Sequence, residues 1–460
     1  MSIAYWEVSA ILLFVFRYLR LVVNLISNWT FKPIPVPENP TYTSQDVTVI
    51  IPTIDGDGDE LRRTIKTCLA TQPFEIMIVT IRVLSIPKAN KRSQMCEAIP
   101  QVKTPITVFA DDDVIWPITV LPWMLAPFED PKMGGVGTSQ RLMRPERLSL
   151  WGFLGSLYLE RRNFDCSACL HMDGGLPCLS GRTVAYRTDI LQDEAFTFGF
   201  THETWRTYQL NADDDNFITR WMFTHGYKIA MQYHKAAEVQ TTLEDSPKYL
   251  KQCLRWIRSN WRSNLTSMFV ERHYWWTHPW TTYAVFQTTL TAWAFVDPLI
   301  FFLCYKATEG WPTETRKPLL IAVAIWIFLF AKTVKLMGHF IRYPGDIVLL
   351  PVSIMFGYVH GILKLIGLFT LSETAWGSRD GADEDDRFRM IRLPPYDSED
   401  AEDQPQAASG SESPLLPVQH GGVSDEVVSS FTNFPLSGTQ VDAGVDRHLH
   451  QARMKKGWQS

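Results

Sequence analysis

The 460-residue sequence has no strong excess of charge of either sign: 44 Lys and Arg stand against 49 Asp and Glu, a formal net charge of −5. Residues 380–460 hold 15 of the acidic and only 7 of the basic side chains, leaving 37 basic against 34 acidic upstream. A body so close to neutral argues against a nucleic-acid binder that relies on a basic surface. Cysteine is scarce as well, seven in an odd number spread along the chain. That is no disulfide framework, and a reducing compartment is the simpler reading. A cleavable secretory leader is also missing, since no charge precedes the first apolar run and no small-residue cleavage site follows it, so the N-terminus is expected to be retained. Apolar and aromatic residues are plentiful: 46% apolar, 17 Trp and 26 Phe exclude a chain disordered throughout.

The apolar residues are concentrated. Residues 5–29 match the roughly 20 residues of a bilayer-spanning helix, with Arg17 and Arg20 as snorkelling interruptions. Three further segments, 279–305, 318–337 and 346–371, are each long enough to cross if tilted, and an integral membrane protein is expected. Pro351, Gly357, Gly361 and Gly367 would suit a broken or interfacial helix in the last of them as well as a straight span. Asp297, beside Pro298, marks either a functional carboxylate or a helix bend facing protein.

Between these parts the chain alternates strand and helix patterns. VTVIIP (47–52) and EIMIV (75–79) are short strands, and PITVFADDD sets an apolar strand directly before Asp111, Asp112 and Asp113. Such alternation predicts an α/β domain of mostly parallel sheet with its ligand site at the carboxyl ends of the strands. Two segments, 147–160 and 254–272, carry apolar residues at i, i+4, and Arg255, Arg258 and Arg262 give the second the character of an interfacial helix. The expected organisation is an anchor and linker (1–41), a cytosolic catalytic domain with interfacial helices (42–272), a membrane region (273–379) and an acidic, Ser/Pro/Gly-rich disordered tail (380–460).

Carboxylates at a strand end form either a solvated turn or a divalent-cation site, since Mg²⁺ and Mn²⁺ take hard oxygen ligands and leave room for substrate phosphates. NADDDNFITRW repeats the device, with Asp213, Asp214 and Asp215 opening a helix; capping is the bland alternative, but three carboxylates exceed what a cap requires. In KYLKQCLRWIRSNW, Gln252, Arg255 and Trp256 share one helix face, offering a cation for phosphate and a flat surface for a sugar ring.

In their order these pieces, together with KANKR (88–92), GGVGTSQR (134–141), CLSGRTVAYR (178–187) and WGSR (376–379), resemble the processive family-2 glycosyltransferases, the group of hyaluronan, chitin and cellulose synthases, and within it the hyaluronan-synthase-like branch. The resemblance spans most of residues 45–380. It implies a GT-A-type nucleotide-sugar transferase domain embedded between transmembrane helices, with Mg²⁺ or Mn²⁺ held by two of Asp111, Asp112 and Asp113. Asp214 would be the catalytic base with Asp213 as its neighbour. Lys91, Arg92 and Arg255 would lie near the donor diphosphate, Gln252 and Trp256 at the acceptor, and Cys178, Ser180 and Gly181 in the acceptor-side loop. Trp376 and Arg379 match a gating motif in which the family often has Thr where Ser378 stands here.

One departure concerns the base: family members usually end the second strand with an acidic pair that contacts uridine, whereas here Thr80, Ile81 and Arg82 follow, and Asp55 or Asp57 could compensate. Cys166-x-x-Cys169 with His171 and Cys178 has zinc-ligand residue types, but its irregular spacing and the acceptor loop's claim on Cys178 weigh against zinc. The implied activity is inverting transfer from a UDP-sugar onto a growing β-linked polysaccharide, exported through the protein's own helices at the plasma membrane. A single-transfer enzyme acting on a lipid acceptor and an inactive scaffold or transporter remain as alternatives.

Overall fold

The computed structural model describes residues 3–79, 91–145, 149–210 and 213–374. The tail, Trp376 and Arg379, and residues 80–82 after the second strand lie outside the described residues.

The chain opens with helix α1 (Ile3–Thr30). It then enters a six-stranded sheet of β1 (Val47–Pro52), β2 (Glu75–Val79), β3 (Ile106–Ala110), β4 (Met133–Thr138), β5 (Thr183–Arg187) and β6 (Lys228–Gln232), in the spatial order β6-β4-β5-β3-β1-β2. All pairings are parallel except those of β5, which runs antiparallel to β3 and β4. This is the mostly parallel GT-A-type sheet expected from the sequence. Every residue of β1 is buried, as in a strand covered on both faces, which is why VTVIIP is a nearly unbroken apolar run. Val47, Val49 and Ile51 pack into one core while Ile50 packs into the core on the opposite face, following the strand's period of two. The glycines of GGVGT have a packing reason. A Cβ at Gly135 would stand 2.8 Å from the ring of Tyr186, its partner on β5, and one at Gly137 2.7 Å from a Leu179 methyl, so the glycines leave room for these two side chains.

Four helices position the site: α2 (Lys91–Ala98), α3 (Leu150–Asp173), α4 (Asp214–Thr224) and α5 (Lys248–Leu265). Helix α3 starts where the Ser149 side chain accepts a hydrogen bond from Gly152 N and ends at Gly174 with φ +75°, a left-handed C-cap. It docks on α1, whose Ser27 hydroxyl donates to Ala168 O at 2.7 Å and whose Asn28 amide donates to Ser167 Oγ at 2.7 Å.

Beyond them come α6 (Pro279–Thr291), α7 (Val296–Ala307), α8 (Thr313–Arg342, with a wide π-type turn at Trp326–Phe330) and α9 (Leu350–Phe369). Tyr5–Thr30, Thr313–Arg342 and Pro344–Phe369 are long and apolar enough to cross a bilayer, and α6 with α7 would make a fourth span if that pair, bent by 82°, counts as one.

Of the readings left open for 346–371, the straight span is the one present. Pro351 sits in the first turn of α9, where its missing N–H interrupts nothing, and α9 is continuous. Its glycines instead admit neighbours: a Cβ at Gly361 would lie 2.9 Å from Ala294 N, in the bend between α6 and α7, and one at Gly367 would lie 2.5 Å from Ile257 of α5. The bend is thus where Asp297 was noted, and α9 makes room for it.

The second amphipathic segment, α5, has its apolar face covered by protein. Ile257 and Trp261 are buried, and the Trp261 indole donates to Lys364 O of α9 at 3.0 Å. Arg258 pairs with Glu373 at 2.6 Å and Arg262 with Asp213 at 2.8 Å, so cations read in sequence as facing lipid headgroups have protein partners.

Candidate active site

Strand β3 delivers three carboxylates to the carboxyl edge of the sheet, and the chain sends them different ways. Asp112 accepts a hydrogen bond from Thr53 Oγ1 in the loop after β1 at 2.6 Å. Asp111 meets Lys91 Nζ at 2.9 Å, and Asp113 accepts from Thr242 Oγ1 at 2.8 Å. Burial first, and then the charge of Asp111, push the Asp113 carboxyl up to about 7. A pair of like charges two residues apart, costly to ionise together, is a fitting place for a divalent cation. Among the described residues no three His, Cys, Asp or Glu side chains group as a metal site, so an ion here would draw its remaining ligands from phosphate or water. Cys166 and Cys169 are buried in α3 and belong to no such group.

The second triplet opens α4. Asp213 holds a left-handed φ of +68° at the N-cap, yet its side chain makes no capping bond. It accepts instead from Arg262 Nε at 2.8 Å, and although burial raises its pKa, Arg262 more than offsets this and holds the carboxyl low. Asp214 faces Lys91 Nζ at 3.0 Å. Asp215 takes the N–H of Asn216 at 2.8 Å, with its pKa raised by burial and by the charge of Asp214.

Lys91 therefore bridges the two triplets. Burial alone would strip its proton, but Asp111 and Asp214 hold the ammonium charged beyond its ordinary range. Gly181 passes this cluster closely: a Cβ there would lie 3.1 Å from an Asp214 oxygen and 3.5 Å from Lys91 Nζ.

Helix α5 brings up Gln252, Arg255 and Trp256. The Arg255 side chain lines the cavity, and its buried Nε has no hydrogen-bond partner among the described residues. Burial and the neighbouring Arg182 both lower the affinity of Arg255 for its proton. Trp256 stacks on Tyr158 with ring centroids 4.8 Å apart and planes at 18°, and the Arg182 guanidinium lies 5.2 Å from the indole centre. Gln252 Oε1 accepts from Glu244 N at 3.4 Å. Across the cavity, Ser180 Oγ donates to Gln140 Oε1 at 3.4 Å and Arg162 donates to Cys178 O at 3.0 Å.

Three residues singled out in the sequence lie apart from this cluster. Arg92, one residue and a 100° turn from Lys91, points into the core, donating to Phe200 O at 2.9 Å and to Glu203 at 2.7 Å. It does not line the cavity, and neither do Asp55 and Asp57, which are exposed in the loop after β1. Conversely, sequence reading passed over Arg182, directly after the Ser180-Gly181 pair, and Arg161 and Arg162 on α3. For Arg161 and Arg162 the only signal was an Arg-Arg pair directly after the apolar first half of α3 and Glu160.

Apart from Arg92, Asp55 and Asp57, the described candidate residues border a cavity of about 660 Å³ that runs from the carboxylates, past Trp256, to Asp297, Lys332 and Tyr358 among the membrane helices.

A family profile, Glycosyltransferase like family 2, matches residues 39–259. A Type 2 glycosyltransferase of Zymoseptoria tritici is 61% identical over 420 residues, covering 86% of this chain and 89% of that protein. The NDP-glycosyltransferase ltbB of Aspergillus luteorubrus is 32% identical over 298 residues, 58% of this chain and 73% of the relative. Hyaluronan synthase 3 of Homo sapiens is 26% identical over 289 residues, 59% and 47% respectively. With a GT-A-type sheet presenting carboxylates at its strand ends, and with that identity over nearly all of the Zymoseptoria tritici protein, the chain belongs to the family-2 glycosyltransferases.

Proposed function

We propose that the protein is a membrane-embedded, inverting, processive glycosyltransferase. It takes sugars from a nucleotide-sugar donor, a UDP-sugar, extends a β-linked cell-wall or extracellular polysaccharide, and passes the product through its own helices. The observation that carries this reading is the continuity of the cavity: the space beside Asp214 and Trp256 is the space between α1, α8 and α9. An enzyme that released each product to the cytosol would have no use for that extension. The likeness to hyaluronan synthase 3 over 289 residues points the same way.

The residues divide the chemistry as follows. Asp214 accepts the proton of the acceptor hydroxyl as its oxygen attacks the anomeric carbon, and displacement from the face opposite the leaving group turns an α-linked donor into a β-linked product. Trp256, fixed by Tyr158, forms the floor on which the acceptor ring stacks. Arg255 turns its unpartnered Nε toward the leaving diphosphate, and Lys91 keeps charge balance between Asp111 and Asp214. Asp111 and Asp113 would hold Mg²⁺ or Mn²⁺, which when bound neutralises the departing diphosphate. The catalytic domain then faces the cytosol, where nucleotide sugars are made, at the plasma membrane.

The test is incorporation of radiolabelled UDP-sugars, singly and in pairs, by purified full-length protein in vesicles with Mn²⁺ or Mg²⁺, followed by sizing of the product. A long polymer is expected. Cation-dependent single transfers would replace this reading with the lipid-acceptor one, and no turnover of any donor would leave a scaffold.

A further inference from the structure

Helix α4, whose first turn carries Asp214, is fastened to α5, which carries Gln252, Arg255 and Trp256, by a ladder of polar pairs. Asp213 accepts from Arg262 Nε, Asn216 donates its amide to Ser259 Oγ and Arg220 Nη1 donates to Ser263 Oγ, each at 2.8 Å. Spaced i, i+3 and i+7, the three residues of the α4 side stand on one face. The base and the surface offered to the acceptor ring therefore share one joint. The rung nearest Asp214 is Arg262, and it reaches further than the other two.

The Arg262 side chain is buried, and its guanidinium works in two directions. Its Nε meets Asp213, while Nη1 donates to two backbone carbonyls of the chain that leaves α9, Leu371 O at 3.2 Å and Glu373 O at 3.0 Å. Arg258, one turn earlier on α5, grips the same stretch by its side chains, donating from Nε to Thr370 Oγ1 at 2.9 Å and pairing with Glu373 at 2.6 Å. Asp213 depends on such a partner. It holds φ +68°, a sparsely populated backbone state for a residue other than glycine, and its side chain makes no capping bond that would fix the turn from within. A mere counter-ion for this buried carboxylate would need only a charge, which an ammonium supplies. The forked guanidinium instead joins the carboxylate to two carbonyls of another segment, which an ammonium at the same place has no fixed geometry to do.

From this arrangement we propose that Arg262 is a positioning residue for sugar transfer: it aims Asp214 through Asp213, and it does so only while residues 370–373 are seated on α5. The inference rests on the reading of Asp214 as the base and deepens it, adding a residue and a distant segment on which that base depends. Asp214 follows Asp213 directly, so a turn that relaxes at Asp213 swings the neighbouring carboxylate away from the acceptor hydroxyl.

The experiment uses purified full-length protein in nanodiscs and two sets of changes. Arg262→Lys keeps a cation beside Asp213 but has no fork to hold the carbonyls as well. It should lower kcat by about 10-fold to 10²-fold while KM for the donor and the unfolding midpoint stay near those of the unaltered protein. The double variant Thr370→Val, Glu373→Gln removes what Arg258 grips and leaves α4 and α5 unaltered. It should lower kcat in the same direction and add little in the Arg262→Lys background, since both act through one joint. Hydrogen exchange reads the same joint without turnover: in the double variant the amides of residues 213–217 should exchange about ten-fold faster, although neither altered side chain touches them. Full kcat in Arg262→Lys would reduce Arg262 to a counter-ion, and so would a loss that vanishes when rates are divided by the number of UDP-binding molecules. Faster exchange confined to residues 370–374 would sever that segment from the base. Any of these overturns the proposal. Absence of turnover with every UDP-sugar would defeat the processive reading instead, and the exchange measurement would still decide whether the segment is joined to the Asp213 turn.

Discussion

At the sheet end of the cavity six carboxylates, those of Asp111, Asp112, Asp113, Asp213, Asp214 and Asp215, face Lys91, Arg162, Arg182 and Arg255; at the bundle end, among the described residues, three arginines and three lysines face Asp165 and Asp297. One space therefore has an acidic mouth and a cationic interior. On the function proposed above, the acidic mouth would take a divalent cation and, through it, a diphosphate. On that proposal the same physics, a charge left without its partner in a low dielectric, would serve a metal and donor site in one place and a product path in the other.

The sharpest break at the acidic end is Asp214→Asn. It should lower transfer by about 10²–10⁴-fold while donor binding, measured by calorimetry with UDP, persists. Normal turnover in that variant would remove Asp214 from the role of base. Arg255→Met comes next. Losing a preorganised cation aimed at the leaving group should cost about 10²–10³-fold in kcat with a smaller change in KM for the donor, and a loss confined to KM would make Arg255 a ground-state binder only.

At the cationic end the expected effect is on stability. Asp165→Asn strands Arg20 and Lys335 together and should destabilise the fold by about 3–5 kcal/mol, visible as a lower midpoint of thermal unfolding in detergent. Arg92→Ala sharpens the contrast between neighbours. Its loss of Glu203 and Phe200 O should also lower the unfolding midpoint, while Lys91→Ala should abolish transfer in a protein that still folds.

The smallest effect is a pH dependence. The Asp113 carboxyl, pushed up to about 7 from an ordinary value near 3.9, keeps in the native protein a proton that the unfolded chain has lost above about pH 4. Its contribution to the stability of metal-free protein is therefore full below that pH and is lost as pH rises through 7. Metal must displace the same proton, so half-saturating Mn²⁺ should fall as pH rises from 6 to 7 and level off above it. Asp113→Asn should flatten the curve, and an unchanged curve in that variant would move the titrating group elsewhere.

How much of the site was legible in the sequence follows from how each residue is held. Asp111 to Asp113 could be found because a short, nearly continuous apolar run ends directly on them, and the end of such a strand is a fixed place in the fold. Gln252, Arg255 and Trp256 could be found because helical spacing alone puts them on one face. Lys91 and Arg92 could not be told apart. Their difference is a 100° rotation on α2, and only the position of that helix against the sheet says which of the two meets the cavity.

The sequence by itself determined the mostly parallel sheet, the long apolar helices and the two carboxylate triplets, because periodicity and strand ends are local properties of the chain. Tertiary structure alone decided the bend beside Gly361, the pairing of Arg17 and Lys332 through Asp297 and of Arg20 and Lys335 through Asp165, and the joining of acidic mouth to cationic interior. Those features depend on which charges from segments over a hundred residues apart come to share one buried space. No local pattern in the chain records that balance.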